Sequence, residues 1–252
     1  MQKFKSPVVG VPTSRDVTYH LSLSFMKTSK SLSASYEKFD REKSYPLPEA
    51  IKLMKECSTV KFDATAEVHF SLGIDPRHAD QQVRATVALP HGTGKSVKVV
   101  VFCSDDLVKK AKAAGAVEAG LDDLMEKVSK GWTDFDVAVA TPEAMKGLAK
   151  IARILGPKGL MPNPKAGTVT PDIEKAVKEL AAGRIEFRNE KAGIVHTIFG
   201  KLNFKEKALE ENLEAMIRAV RDVRPSGLKN IYFKKVTINS TMGPGIKVEV
   251  SE

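Results

Sequence analysis

The sequence predicts an α/β domain inserted into an α+β domain, and three observations carry that reading. Both ends of the chain show a helix together with strands of antiparallel type. The centre alternates continuous apolar strands with helices, the pattern of a parallel sheet covered on both faces. A proline- and glycine-rich string at 156–171 interrupts the chain before the second end begins. At 252 residues the chain is long enough to bury a sizeable core.

Residues 1–35 show no sustained period of 2 or 3.6, are rich in Ser, Thr and Lys, and read as a disordered arm. Three origins stand beside one another: a basic RNA-binding tail, an organellar transit peptide, or sequence upstream of a start at Met26. The favoured reading is a dispensable extension. From Pro46 the pattern is regular, with Leu47, Ala50, Ile51 and Met54 on one helical face. An alternating strand follows over Thr65 to Leu72, and a second over Val83 to Leu89, before His91-Gly92-Thr93-Gly94 breaks the chain. Val97 to Phe102 is a continuous apolar strand, and Asp105 is placed to cap a helix to Ala114. A helix over Leu121 to Ser129, a buried strand over Val137 to Ala140, and a helix from Pro142 to about Leu155 complete the centre. Residues 156–171 hold four prolines and three glycines in sixteen residues, so they form neither a continuous helix nor a central strand. Leu160, Met161 and Val169 within it indicate that it packs. A helix from Pro171 to Leu180, strands at Ile185–Phe187 and Ile194–Phe199, and an amphipathic helix from Phe204 to Arg221 follow. Ile231–Ile238 and Ile246–Val250 are the last strands.

The formal charge is +9, which favours a polyanionic partner. It is concentrated at the ends: residues 184–252 carry thirteen Lys or Arg against nine Asp or Glu. No run of about 18 apolar residues marks a membrane span. Two cysteines, Cys57 and Cys103, stand far apart and the five histidines lack zinc-like spacing, so neither a metal nor a cofactor is expected. Gly92-Thr93-Gly94-Lys95-Ser96 resembles the end of a nucleotide-binding loop. However, the glycine that such a loop needs five residues before Gly94 is Leu89, and a strand follows where a helix is required. Asp105–Asp106 and Asp122–Asp123 are explained by helix capping. No catalytic constellation is present, and the chain reads as a non-enzyme.

Signals for RNA converge. Lys61-Phe62 sets a phosphate-pairing charge beside an aromatic, although Phe62 as a core residue fits its position equally well. Thr241-Met242-Gly243 between two strands supplies a hydroxyl, a flexible apolar side chain and a close backbone approach. Arg184, Arg188 and Lys191 bracket one strand and Lys234-Lys235 another, biasing that part of the chain toward phosphate.

With these segments in place, GPKGLMPNPKAGTVT at 156–170 resembles the signature of the large-subunit ribosomal protein L-one family, which forms a stalk beside the tRNA exit site. TVKFDATAEVHFSLGIDPR, RATVALPHGTGK, GWTDFDVAVATPE, GRIEFRNEKAGIVH and NSTMGPGIKV are similar to the family in the same order, over roughly Ser35 to Val250. The resemblance implies an rRNA-binding α+β domain of residues 36–92 and 184–252, with a smaller Rossmann-like, three-layer α/β domain inserted over 93–183. By resemblance the rRNA contacts are Lys61, Phe62, Asp63, Thr65, Thr241, Met242 and Gly243, with Arg188, Lys191 and Lys235 as further positions. Gly92, Gly156, Pro157, Gly159, Pro162, Pro164 and Gly167 form the hinge between the domains. The implied partners are the stalk region of large-subunit rRNA, exit-site tRNA, the mRNA of the protein's own operon and other ribosomal components. No membrane partner is implied, and the protein is expected to be a monomer away from the ribosome. A bacterial cytoplasmic ribosome is the implied location, with an organellar ribosome as the alternative. Two other functions compete: a stand-alone RNA-binding translational repressor, and a nucleotide-dependent enzyme using Gly92–Ser96.

Overall fold

A computed structural model describes residues 29–228 and 231–250. Most of the amino-terminal arm therefore lies outside the described residues, but its last part corrects the reading of 1–35 as unstructured. Lys30–Tyr36 forms helix α1, capped by the Ser29 hydroxyl, which accepts from the Leu32 N–H at 3.3 Å. Ser35 is buried, and its hydroxyl donates to the Cys57 carbonyl at 3.2 Å. A seven-residue helix is too short to persist alone in water, so docking holds it, which periodicity could not reveal.

Helix α2 (Leu47–Glu56) starts at Pro46 and buries Ala50, Ile51 and Met54. Strand β1 (Thr65–Leu72) alternates partly exposed and buried residues along its whole length. It is the second strand of a four-stranded antiparallel sheet of order β7-β1-β8-β9, with β7 at Ile194–Lys201, β8 at Phe233–Ser240 and β9 at Ile246–Val248. Ala66, Val68, Phe70 and Leu72 face a core closed by α2 and by helix α8 (Glu206–Asp222), which contributes Leu209, Leu213, Met216 and Ile217. Burying each large apolar side chain stabilises by about 1.5–3 kcal/mol. Strands β2 (Arg84–Ala88) and β6 (Arg184–Arg188) pair as a separate antiparallel ribbon against this core. All residues of this cluster come from 39–89 and 187–248.

Residues 97–180 build two other clusters on the opposite faces of a parallel sheet. Its order is β4-β3-β5, with β3 at Val99–Phe102, β4 at Glu118–Gly120 and β5 at Val137–Ala140. On one face Val100, Phe102, Ala138 and Ala140 pack with helix α4 (Asp122–Ser129) and the run of helices α5 (Ala144–Leu148) and α6 (Ala152–Leu155). On the other, Val99, Val101 and Val139 pack with helices α3 (Asp105–Ala113) and α7 (Ile173–Ala181). Several local expectations change. Ser104, with extended backbone, takes the cap position that was assigned to Asp105. The single helix expected from Pro142 is instead α5 and α6 joined by a 3-10 turn at Ala149–Ile151. Strand β4 was not foreseen, because its three residues carry no apolar period.

The chain passes between the two groups of cores at Gly92 and Gly183, which touch. Both have left-handed backbone (φ +66° and +102°), and a Cβ on Gly183 would stand 2.5 Å from the Gly92 Cα. Asn212 of α8, fully buried, binds this crossing. Its Nδ2 donates to the carbonyls of Gly92 (3.0 Å) and Phe199 (2.8 Å), and its Oδ1 accepts from the His91 N–H at 3.0 Å. The Pro/Gly string is packed rather than extended. Val169 bridges to Ala140 beside β5, and a 3-10 turn at Pro164–Ala166 lies against β2.

Candidate nucleic-acid interface

The two ends of the chain meet at one corner of the antiparallel sheet. The Thr241 N–H donates to the Thr65 carbonyl at 3.0 Å, and the Thr65 N–H donates to the Thr241 Oγ1 at 3.1 Å. This reciprocal pair joins residues 61–65 to the β8–β9 loop. Lys201, opposite Thr65 in β7, completes the corner: its Nζ donates to the Asp63 carbonyl (3.2 Å) and to the Thr65 Oγ1 (3.0 Å). Nothing along the chain marks Lys201 for this site, because only the strand register puts it there.

Phe62 is 58% exposed and Met242 79% exposed at this corner, so Phe62 is not a core residue. Lys61 and Asp63 beside it are exposed as well. Solvating two large apolar side chains next to the Lys61 and Lys201 cations is unfavourable without a partner, and RNA with unstacked bases supplies a matching surface. The loop is also strained. Gly243 N–H donates to the Ser240 carbonyl at 2.8 Å, closing a turn whose third residue, Met242, has φ 64°. Met242 alone among the described non-glycine residues has positive φ, a conformation that costs an L-residue about 1–2 kcal/mol. Glycine next to it avoids crowding, since a Cβ on Gly243 would lie 2.3 Å from the buried Ser240 Oγ, which would have to turn aside, and 3.2 Å from the Ser240 carbonyl oxygen. Met242→Gly is therefore expected to raise stability by about 0.5–1 kcal/mol in urea unfolding while weakening RNA binding. A loss of stability would mean that the Met242 side chain packs in the free protein.

The remaining site residues do not gather here. Lys235 pairs with Ser71, six residues along β1 from Thr65, a distance of about 20 Å. Arg188 pairs with Arg84 in the β2–β6 ribbon, and Lys191 lies in the turn that leads into β7 at the same far end of β1. Arg184, read as part of a phosphate-facing set, is engaged otherwise. Its guanidinium donates to Glu179 of α7 at 2.5 Å and to the Thr86 hydroxyl at 2.9 Å, tying α7 to the β2–β6 ribbon. Of the hinge residues, Gly92 lies at the crossing, while Gly156, Pro157, Gly159, Pro162, Pro164 and Gly167 belong to the packed string. Gly167 (φ +66°) abuts the Arg184 guanidinium, so the string touches the same tie.

Between the corner and Lys235 the open sheet face is polar. His69 Nε2–H donates to Asn239 Oδ1 at 2.7 Å, which leaves His69 Nδ1 to accept from His196 Nδ1–H, also at 2.7 Å. Alternation in Thr65–Leu72 puts His69 on the open face, but the strand pattern of Ile231–Ile238 stops short of Asn239. Only the pairing of β1 with β7 and β8 brings the three residues together.

Gly92–Ser96 does not form a phosphate cradle. Lys95 donates to Asp136 at 2.7 Å, and with the Lys98 N–H it holds that carboxyl below the usual carboxylate range. The next element is strand β3, so no helix starts directly from the loop as a phosphate cradle requires. Cys57 is buried, which pushes its thiol up and away from reactivity. Among the described residues no helix is long and apolar enough to cross a membrane.

A profile of the Ribosomal protein L1p/L10e family matches residues 53–244. The chain is 51% identical over 223 residues to the "Large ribosomal subunit protein uL1" of Coxiella burnetii (strain Dugway 5J108-111), covering 88% of this chain and 96% of the relative. It is 49% identical over 226 residues to the protein of the same name from Protochlamydia amoebophila (strain UWE25), covering 90% of this chain and 96% of the relative.

Proposed function

Because the chain belongs to the ribosomal protein L1p/L10e family, we propose that it is a structural constituent of the large ribosomal subunit whose Phe62–Met242 corner binds stalk rRNA. The observation that carries this reading is the reciprocal Thr65–Thr241 pair. It holds two solvent-exposed apolar side chains and Lys201 in one rigid patch, built from segments 176 residues apart. Phosphate contacts from Lys61 and other surface cations supply salt-dependent affinity, and Phe62 and Met242 supply recognition of an irregular RNA shape. The family is one of ribosomal proteins and not of enzymes, in keeping with Lys95 being engaged by Asp136.

The same reading assigns two domains, residues 36–92 with 184–252 for rRNA and 93–183 as a mobile second body, with the Gly92–Gly183 crossing between them. It includes assistance to deacylated tRNA leaving the exit site and repression of the protein's own operon mRNA through the rRNA site. Relatives from two bacteria support a bacterial cytoplasmic ribosome as the location.

The test is binding of the full chain to a large-subunit stalk rRNA fragment and to an unrelated RNA of equal length across a salt series. Strong preference for the stalk fragment at moderate salt is expected. Phe62→Ala should weaken it by about 1–3 kcal/mol without changing the unfolding midpoint. Equal and steeply salt-dependent binding to both RNAs would reject the corner as a specific site.

A further inference from the structure

A second cationic surface lies on the α5–α6 run, away from the corner. Ala144, Leu148, Ile151 and Leu155 are buried there, and their spacing turns one ridge of the helical run into the core. Lys146, Lys150 and Arg153 fall on the opposite ridge and are exposed. At about 1.5 Å per residue they span roughly 10 Å. From 144 to 171 the chain contains five Lys or Arg and no Asp or Glu; Glu143 stands at the start of the ridge.

These charges are not neutralised within the protein. Elsewhere on the parallel-sheet part, Lys95, Lys98, Lys127 and Lys130 each pair with a carboxylate. The exposed lysines of α3 and α7 form no ion pair among the described residues either, but share their helices with Asp106 and with Glu174 and Glu179, whereas the α5–α6 run carries no acidic residue. Among the described residues Lys146, Lys150 and Arg153 have no carboxylate partner. One turn beyond Arg153, Gly156 opens a recess of about 350 Å³ that is also lined by Gly159, Pro162, Arg84, Arg188 and the carboxylate of Glu186. Arg84 is engaged by Glu186, whereas Arg188 has no carboxylate partner among the described residues. Gly159 (φ +72°) has nothing within 4 Å of its Cβ position, so the backbone there is open to close approach.

We propose that the Lys146–Lys150–Arg153 ridge and the Arg188 recess form a second RNA surface, which holds the phosphate backbone of a duplex RNA without reading its sequence. This proposal does not depend on the Phe62–Met242 corner. Three cations along roughly 10 Å can face successive phosphates of an RNA backbone. None of the four exposed large apolar side chains among the described residues lies on it, so it lacks both the stacking platform of a single-strand site and the apolar centre of a protein interface. The apolar face of the run is spent in the core, which removes the means of inserting into a lipid surface.

The test uses the full chain and an RNA duplex of about 20 base pairs, long enough for shape-based binding. The triple variant K146Q/K150Q/R153Q should lose at least about tenfold in duplex affinity, and its slope of log K against log salt should shrink by about 2–3. Its affinity for the stalk rRNA fragment should change less than about twofold, whereas Phe62→Ala should show the reverse pattern. The charge-preserving K146R/K150R/R153K should restore duplex binding, and Arg188→Gln alone should reduce it about threefold. Unchanged duplex binding by the triple variant overturns the proposal. So does binding of the wild type to polyglutamate or to anionic phosphatidylglycerol vesicles as tightly as to the duplex, which would make the ridge a general polyanion patch. Equal loss of duplex binding in Phe62→Ala would merge the two surfaces into one and overturn it as well.

Discussion

Asn212→Leu is expected to destabilise the protein by about 3–5 kcal/mol in urea unfolding, although leucine has the same number and branching of side-chain heavy atoms. The loss comes from the partners left behind. Asn212 satisfies the carbonyls of Gly92 and Phe199 and the N–H of His91, all drawn from outside α8. A buried polar group without a partner costs about 1–3 kcal/mol, and leucine strands the buried Phe199 carbonyl together with two part-buried groups at the crossing. Asn212→Asp retains the acceptor for His91 but loses both donated bonds and buries a carboxylate, so it should be no better tolerated. Hydrogen exchange at His91 should accelerate in both variants. A loss below about 1 kcal/mol in Asn212→Leu would show that the crossing is held by packing and not by this residue.

Gly183→Ala is expected to cost about 2–4 kcal/mol, from left-handed backbone strain of about 1–2 kcal/mol and a steric conflict on top. The conflict is with backbone, not with a side chain that can rotate away. The added Cβ would lie 2.5 Å from Gly92 Cα and 3.0 Å from Thr93 N. Gly115 serves as the internal reference, since it has nearly the same φ (+107°) and nothing within 4 Å of its Cβ position. Gly115→Ala should cost only the strain, about 1–2 kcal/mol. Equal losses at the two positions would mean that the two chain crossings do not press on each other. Together these variants test whether Gly92, Gly183 and Asn212 form one junction, which loosening would convert from a fixed crossing into a freer one.

The long elements were legible because each satisfies a single local rule. Alternation in Thr65–Leu72 reappears as alternating burial, and the continuous apolar runs at Val99–Phe102 and Val137–Ala140 reappear as strands buried on both sides. The face carrying Leu209, Leu213 and Ile217 closes the core of the four-stranded sheet as its 3.6 period requires. Short elements were not legible. Helix α1 exists through the Ser35–Cys57 contact, and β4 through pairing with β3; neither has enough residues to show a period. At the corner, Phe62 and Met242 were named from residue type and resemblance, but the sequence left Phe62 divided between core and surface until its exposure was known.

By itself, then, the sequence determined which segments are strands and helices, which faces are apolar, and which family's motifs the chain carries, because all of these are encoded by neighbours along the chain. Tertiary structure decided the rest, because it depends on which distant segments meet. Register placed Lys201 against Thr65 and joined His69 to His196 and Asn239. Folding likewise divided the cations. Arg184 and Lys95 found carboxylates and became structural, while Lys146, Lys150 and Arg153 were left facing solvent without one. A lysine reads the same in either setting along the chain; only the position of the nearest carboxylate in space tells a tie from a binding surface.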